Sequence, residues 1–142
     1  MKALPILAVF ATLACAQNAG PKTVYILPMS AGLDQYLAQW LTKDHIMQVV
    51  ADPKAADVVM TDRLGEAFEE KMKEIRPDDD KKKKDDDTHN GYRSSTPHGT
   101  IFIVDAKTRH VLWSDYQKPP RTNSDSELNR TAEQIAKKLL SK

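Results

Sequence analysis

The chain has 142 residues, a length that favours a single domain. Its 21 Lys and Arg residues against 20 Asp and Glu residues give a net charge of +1, so no overall field draws it to nucleic acid or to anionic lipid. One cysteine in the whole chain excludes a metal knuckle built from paired cysteines.

The N-terminus carries the features of an export signal in their usual order. After Met1 and Lys2, residues 3–14 are almost wholly apolar, a stretch that fits a signal-peptide core and is too short to span a bilayer. Residues 14–16 fit the small-x-small cleavage rule, which predicts cleavage before Gln17. We therefore predict a signal peptide at residues 1–16 and one periplasmic or secreted domain at residues 17–142. A buried N-terminal helix is the alternative.

Cys15 raises the question of a lipid anchor. Lipoprotein signals usually carry Leu three residues before the lipidated cysteine, where this chain has Thr12. We therefore expect no lipid on Cys15 and a mature chain without cysteine. No later apolar run is long enough to predict a membrane helix.

The first half of the folded region begins with a predicted strand and helix. Residues 23–27 are β-branched, aromatic and apolar and end at Pro28, which predicts a buried strand. A helix beginning at Ser30 or Gly32 follows, and we assign its Trp40 to the core. The apolar stripe of this helix consists of Leu33, Tyr36, Leu37, Trp40 and Leu41.

Two more strands and a second helix follow in sequence. Residues 45–50 predict the second strand, and residues 58–61 predict the third after a short turn. Residues 64–75 predict a helix that ends at Pro77. Its apolar face consists of Leu64, Phe68, Met72 and Ile75.

The C-terminal part predicts a β-hairpin and a final helix. Residues 100–104 form a continuous apolar strand, residues 106–109 turn the chain, and residues 110–116 return it. Ser124 with Glu127 is a capping-box signature at the start of the last helix. The face of that helix consists of Leu128, Ala132, Ile135 and Leu139.

The predicted element order is β-α-β-β-α-loop-β-β-α. It indicates an α/β (α+β) fold, with a mixed sheet of about five strands and three helices packed on it.

The charged segment between the second helix and the hairpin needs a separate test, because it resembles a metal loop. With Gly91 at position 6 of a calcium loop, position 12 falls on Pro97 instead of Glu, so the segment is not an EF-hand. Asp78–80 and Asp85–87 would hold Ca²⁺ weakly, since lysines 81–84 repel a dication. His89 and His98 are two ligands on a flexible chain and make a poor transition-metal site.

We therefore interpret residues 77–98 as a flexible charged loop without a metal site. Its six aspartates are balanced by Arg76, lysines 81–84 and Arg93, and such a segment buries too little apolar surface to offset the entropy of ordering.

No motif of an enzyme or a cofactor site is present. The chain lacks a Gly-rich phosphate loop, His-Glu-x-x-His and Gly-x-Ser-x-Gly. Ser94, Ser95 and His98 are close in sequence but lie in the charged loop, and His45 and His110 border predicted strands. We predict no catalytic, cofactor-binding or metal-binding residue and no cofactor.

Several short motifs nevertheless resemble a known family. The motif positions are Pro28, Ala56-Asp57, Val104-Asp105, Thr108, Val111 and Trp113. In these motifs the chain is similar to the amino-terminal domain of TolB and to related bacterial envelope accessory lipoproteins, across nearly the whole predicted mature chain. The chain departs from the family at Asp62, where relatives often carry Gly, in its charged loop, and in having no propeller or lipid-anchor sequence.

This resemblance implies a protein without catalytic activity that docks to other envelope proteins. The first functional expectation is accordingly a non-catalytic exported envelope accessory domain that acts by protein-protein interaction, with an unidentified envelope protein as partner. It binds no nucleic acid and has no membrane span. The alternative is a weak metal- or ligand-binding module that uses the Asp/Lys/His loop.

Overall fold

The computed structural model of the chain describes residues 22–78, 99–118 and 122–141. The predicted signal peptide, its cleavage site and charged-loop residues 79–98 lie outside the described residues. The strands and helices are β1 (Thr23–Ile26), α1 (Leu33–Lys43), β2 (Gln48–Val49), β3 (Val58–Thr61), α2 (Glu66–Ile75), β4 (Thr100–Asp105), β5 (Val111–Tyr116) and α3 (Asp125–Leu140). Short 3₁₀ turns at Ser30–Gly32 and Pro53–Ala55 precede α1 and β3.

The element order and the mixed α/β class confirm the prediction. The sheet has five strands in the order β2-β1-β3-β4-β5. β1 is parallel to β2 and to β3, whereas β4 is antiparallel to both of its neighbours. The sheet therefore has a parallel part at β2, β1 and β3 and a hairpin, β4–β5, added to it.

The core has two parts, one on each face of the sheet. α1 and α3 cover one face, where Leu37, Leu41 and Ile135 pack against strand residues that include Trp113. α2 covers the other face, where Phe68 and Met72 pack on a second cluster. All four residues of β3 are buried, because this central strand has helices on both sides.

Trp40 lies at the edge of the first core cluster. It is half-buried, packs against that cluster, and its indole Nε1 donates to Asn129 Oδ1 of α3 at 2.9 Å. Its predicted place on the apolar stripe is therefore confirmed, and it also links α1 to α3.

The second strand is shorter than predicted, because residues 44–46 end α1. His45 has a left-handed φ of 52°. Its N–H donates to Thr42 O at 3.3 Å, and the N–H of Ile46 donates to Leu41 O at 3.0 Å. This is the Schellman pattern of a helix C-terminus, with His45 in the position that glycine usually takes. The prediction of a strand at residues 45–47 is wrong for that reason.

The start of α2 and the capping of α3 also differ from the prediction. α2 begins at Glu66, because Gly65 has φ 89° and ψ −155°, a conformation that only glycine adopts readily. α3 begins at Asp125 with Ser124 as N-cap, but Ser124 makes no side-chain cap hydrogen bond. Glu127 Oε2 instead accepts from the N–H of Thr122 at 3.0 Å. The capping-box prediction is therefore wrong, because the glutamate reaches past the N-cap.

Candidate functional site

The Ala-Asp motif before β3 has a structural role. Asp57 Oδ2 accepts hydrogen bonds from the Thr23 backbone N–H at 3.1 Å and from Thr23 Oγ1 at 2.9 Å. These hydrogen bonds, together with two nearby lysines, hold the pKa of the Asp57 carboxyl below its usual value. Asp57 therefore joins the beginning of β1 to the beginning of β3.

The Val-Asp-x-x-Thr motif closes the turn between β4 and β5. Asp105 Oδ1 accepts from the backbone N–H of Thr108 at 2.8 Å and of Lys107 at 2.9 Å. These two hydrogen bonds lower the pKa of the Asp105 carboxyl below its usual value, and the one from Thr108 has the larger effect. A carboxylate that binds the backbone two and three residues later stabilises a turn, so this motif is also structural.

Arg76 belongs to the fold, although its sequence position places it beside the charged segment. It is 6% exposed at the end of α2, and its Nη1 donates to Ala56 O at 3.0 Å and to Pro53 O at 3.3 Å. It thereby joins α2 to the turn before β3. The sequence shows only a basic residue at a helix C-terminus, which is a weak signal for this contact.

A small cavity lies where β1 and β3 end, the edge at which open α/β sheets often bind ligands. Its volume is about 150 Å³, and its walls include Leu33, Ile101 and Leu128. Asp62, 7% exposed, also lines it; its Oδ2 accepts from the N–H and from Oγ of Ser30, both at 3.0 Å.

The chemistry of this cavity is limited. Asp62 Oδ1 lies 3.4 Å from Arg63 Nε, so the carboxylate is bonded on one oxygen and ion-paired on the other. The described residues that line the cavity include no histidine, cysteine or second carboxylate. Asp62 therefore fixes the turn before α1, and the other polar side chains that line the cavity include those of Lys118, Asn123 and Thr131.

The residues considered for metal or catalytic chemistry are not brought together in the described part of the chain. His45 and His110 are both exposed. Asp78 lies 3.6 Å from Lys54 Nζ, and both side chains are mostly exposed. Residues 22–78, 99–118 and 122–141 contain no group of three His, Cys, Asp or Glu that would hold a metal ion.

The remaining candidates fall outside the described residues. They are Asp79, Asp80, Asp85–87, His89, Gly91, Ser94, Ser95, Pro97 and His98. That the charged loop has no metal site therefore stays a prediction.

The other candidate site is the edge of the sheet at β5, which in the described structure has a neighbouring strand on one side only. The N–H of Gln117 donates to Gly99 O at 2.7 Å, so Gln117 faces β4. Backbone groups alternate in direction along a strand, so Asp115 and Trp113 also face β4, whereas Ser114 and Tyr116 point outward.

The outer edge of β5 is also apolar. Val111 is 47% exposed, Leu112 is 46% exposed and Tyr116 is 61% exposed. A bulge falls between the Ile103–Trp113 and Val104–Val111 pairs, which leaves Leu112 as an extra residue of β5.

The one charged side chain of β5 is neutralised within the domain. Asp115 Oδ2 lies 2.6 Å from Lys138 Nζ of α3. It also accepts a hydrogen bond from the Gln117 side chain. The edge therefore presents backbone groups and apolar side chains without an isolated charge, which is what an added strand requires.

Comparison with known proteins identifies no relative. The chain matches no protein-family model, no curated protein and no solved structure. The similarity to the TolB amino-terminal domain therefore stays a hypothesis. Within the described residues, each helix is too short or too polar to cross a membrane.

Proposed function

We propose that this protein is a non-catalytic, exported envelope accessory domain that acts by protein-protein contact at the β5 edge. The occupant that we propose for this edge is an extended protein segment that adds to the sheet as a further antiparallel strand. The observation that carries the proposal is the combination of outward backbone groups at Ser114 and Tyr116 with exposed apolar side chains on the same strand.

The distribution of exposed apolar residues supports this site. Among the described residues four large apolar side chains are exposed, and three of them, Val111, Leu112 and Tyr116, belong to β5. Edge strands usually carry charges or prolines that prevent pairing. β5 has a single charged residue, and Lys138 neutralises it. Strand addition uses backbone hydrogen bonds for affinity and alternate side chains for specificity.

The positions of the carboxylates support a function without catalysis. Asp57 binds the backbone N–H of Thr23 in β1, Asp105 binds two backbone N–H groups of the β4–β5 turn, and Asp62 binds Ser30. Each is used to connect elements of the fold. A general base needs a lone pair directed at a substrate, and each of these three carboxylates has at least one oxygen that accepts hydrogen bonds from the protein itself.

The proposal is tested by removing one outward N–H without disturbing the β4–β5 ladder. Ser114→Pro deletes an N–H that faces away from β4, whereas Ser114→Ala keeps it and serves as the matched control. Both variants should unfold at urea midpoints close to that of wild type.

The assay is crosslinked capture from an envelope extract, with the captured protein identified by mass spectrometry. We expect wild type and Ser114→Ala to capture the same protein and Ser114→Pro to lose it. Addition of the identified partner should then slow hydrogen exchange at the outward amides of Ser114 and Tyr116. Equal capture by both variants, or no capture by wild type even with crosslinker, would contradict the proposal.

A further inference from the structure

We infer that the cavity at the ends of β1 and β3 binds a small α-amino acid with a branched apolar side chain. The inference does not depend on the β5 edge, and it gives the domain a ligand site in addition to the proposed docking surface. It rests on the place of the cavity in the fold, on its size, and on the polar side chains that line it.

The cavity lies where two neighbouring parallel strands lead to helices on opposite faces of the sheet. β1 and β3 are adjacent and parallel. α1, which follows β1, packs on one face together with α3, whereas α2, which follows β3, packs on the other face. Segments that leave in opposite directions open a crevice at the carboxyl ends of the two strands, and open α/β sheets bind ligands in such crevices.

The size and the apolar wall of the cavity fit a branched aliphatic group. Its volume is about 150 Å³, and Leu33, Ile101 and Leu128 form part of its wall. Ile101 and Leu128 are 2% and 4% exposed, so they belong to its inner side. An apolar protein cavity of about this volume accommodates benzene, and the side chain of leucine has a similar volume.

A buried carboxylate in the same wall fits an ammonium group. Asp62 is 7% exposed; Ser30 donates two hydrogen bonds to its Oδ2, and its Oδ1 is paired with Arg63. The two oxygens of a carboxylate together accept about four hydrogen bonds. Within the described residues Oδ1 therefore has room for a further donor. The ammonium group of an amino acid supplies that donor together with a complementary charge.

The outer side of the cavity carries donors for the carboxylate of the same ligand. Lys118 and Asn123 line the cavity, and both are exposed. An ammonium group and a carboxamide N–H both donate to carboxylate oxygens. A buried acceptor, an exposed cation and an apolar wall around one small cavity together match the three parts of an amino acid with a branched apolar side chain.

The ligand class is tested with L-leucine as the probe, titrated into the purified protein and followed by NMR. We expect saturable shift changes at the amides of Gly99, Ile101 and Thr131, with a dissociation constant below about 1 mM. Isocaproate lacks the amine, L-leucinamide lacks the carboxylate and glycine lacks the side chain. Isocaproate and glycine should each bind about tenfold more weakly or worse, because a charged hydrogen bond or the apolar contact is lost.

The site is tested with two pairs of variants whose urea midpoints show that they are folded. Thr131→Leu fills the cavity from α3 and should abolish binding, whereas Thr131→Val keeps the size of the side chain and should retain it. Lys118→Gln should weaken binding of L-leucine by about fivefold, because an exposed ion pair is weak, and should leave L-leucinamide unaffected. Lys73→Gln, at an exposed position on α2, is the matched control and should bind as wild type does.

Wild-type protein that shows no saturable shifts with L-leucine would overturn the inference. Equal binding by wild type and Thr131→Leu would overturn it as well, since the ligand would then lie elsewhere. Isocaproate that binds as tightly as L-leucine would exclude an amino acid, because Asp62 would contribute nothing to recognition. None of these variants changes the outer edge of β5, so failure here leaves the proposed function intact.

Discussion

Replacement of Arg76 by Met should destabilise the domain by about 3–4.5 kcal/mol. Arg76 Nη1 donates to the carbonyl oxygens of Ala56 and Pro53 at 3.0 and 3.3 Å, and the residue is 6% exposed. A hydrogen bond to a charged group contributes about 1.5–3 kcal/mol, and the longer of these two bonds falls at the low end of that range. Met retains the apolar stem, so the loss reports the polar contacts of the guanidinium, which include these two carbonyl oxygens. Domains of this kind have a total stability of about 5–15 kcal/mol.

The assay is urea unfolding followed by tryptophan fluorescence, with Lys73→Met as the matched control. Lys73 is an exposed basic residue in the last turn of α2, so its replacement should change the free energy of unfolding by less than about 0.5 kcal/mol. Arg76→Lys should recover part of the loss, because an ammonium donates to a carbonyl but lacks the planar fork. Equal midpoints for Arg76→Met and Lys73→Met would refute the reasoning, since the buried contacts would then contribute nothing.

Three further outcomes follow from the structure and the sequence. Trp113→Ala should cost about 3–5 kcal/mol in urea unfolding because Trp113 is 8% exposed in the core, whereas Tyr116→Ala should change the midpoint little. The pKa of Asp57 is lowered in the fold, so its stabilisation is present above the unfolded pKa of about 3.9 and is lost as pH falls below it. Asp57→Asn should therefore reduce stability at pH 7 and flatten its dependence on acid pH, and an unchanged acid profile would contradict this. Intact mass of the exported protein should show a chain beginning at Gln17, and a species beginning at a diacylated Cys15 would contradict the predicted processing.

The sequence predicts the helices and most strands because each buries one face with a short, local period. The apolar stripe of α1 and the continuous apolar run of β3 are such patterns: the structure buries all of β3, and it buries Leu37 and Leu41 of the stripe. The predicted second strand is too long because its first residues belong to the end of α1. The turn at His45 depends on a left-handed φ in a residue other than glycine, and the sequence contains only a weak signal for such a conformation.

The sequence does not predict the contacts of the buried charged residues, and the reason is different. Asp62 binds Ser30 across a separation of 32 residues, and Arg76 binds Ala56 across 20. Such contacts depend on the sheet order and on which loops meet, and periodicity along the chain carries no information about either. The one local signal is position, since Asp62 directly follows the four buried residues of β3 and Arg76 directly follows α2.

The motif residues and the residues of the β5 edge have different roles in the structure. Asp57 connects β1 to the beginning of β3, and Asp105 with Thr108 closes the turn between β4 and β5, so these motif residues hold the fold together. A resemblance that rests on them therefore concerns the fold and carries little information about a partner. Ser114 and Tyr116 follow the motif, point their backbone groups outward and are exposed. Changes at these two positions leave the core intact while they alter the outer edge, so the choice of partner should depend on them.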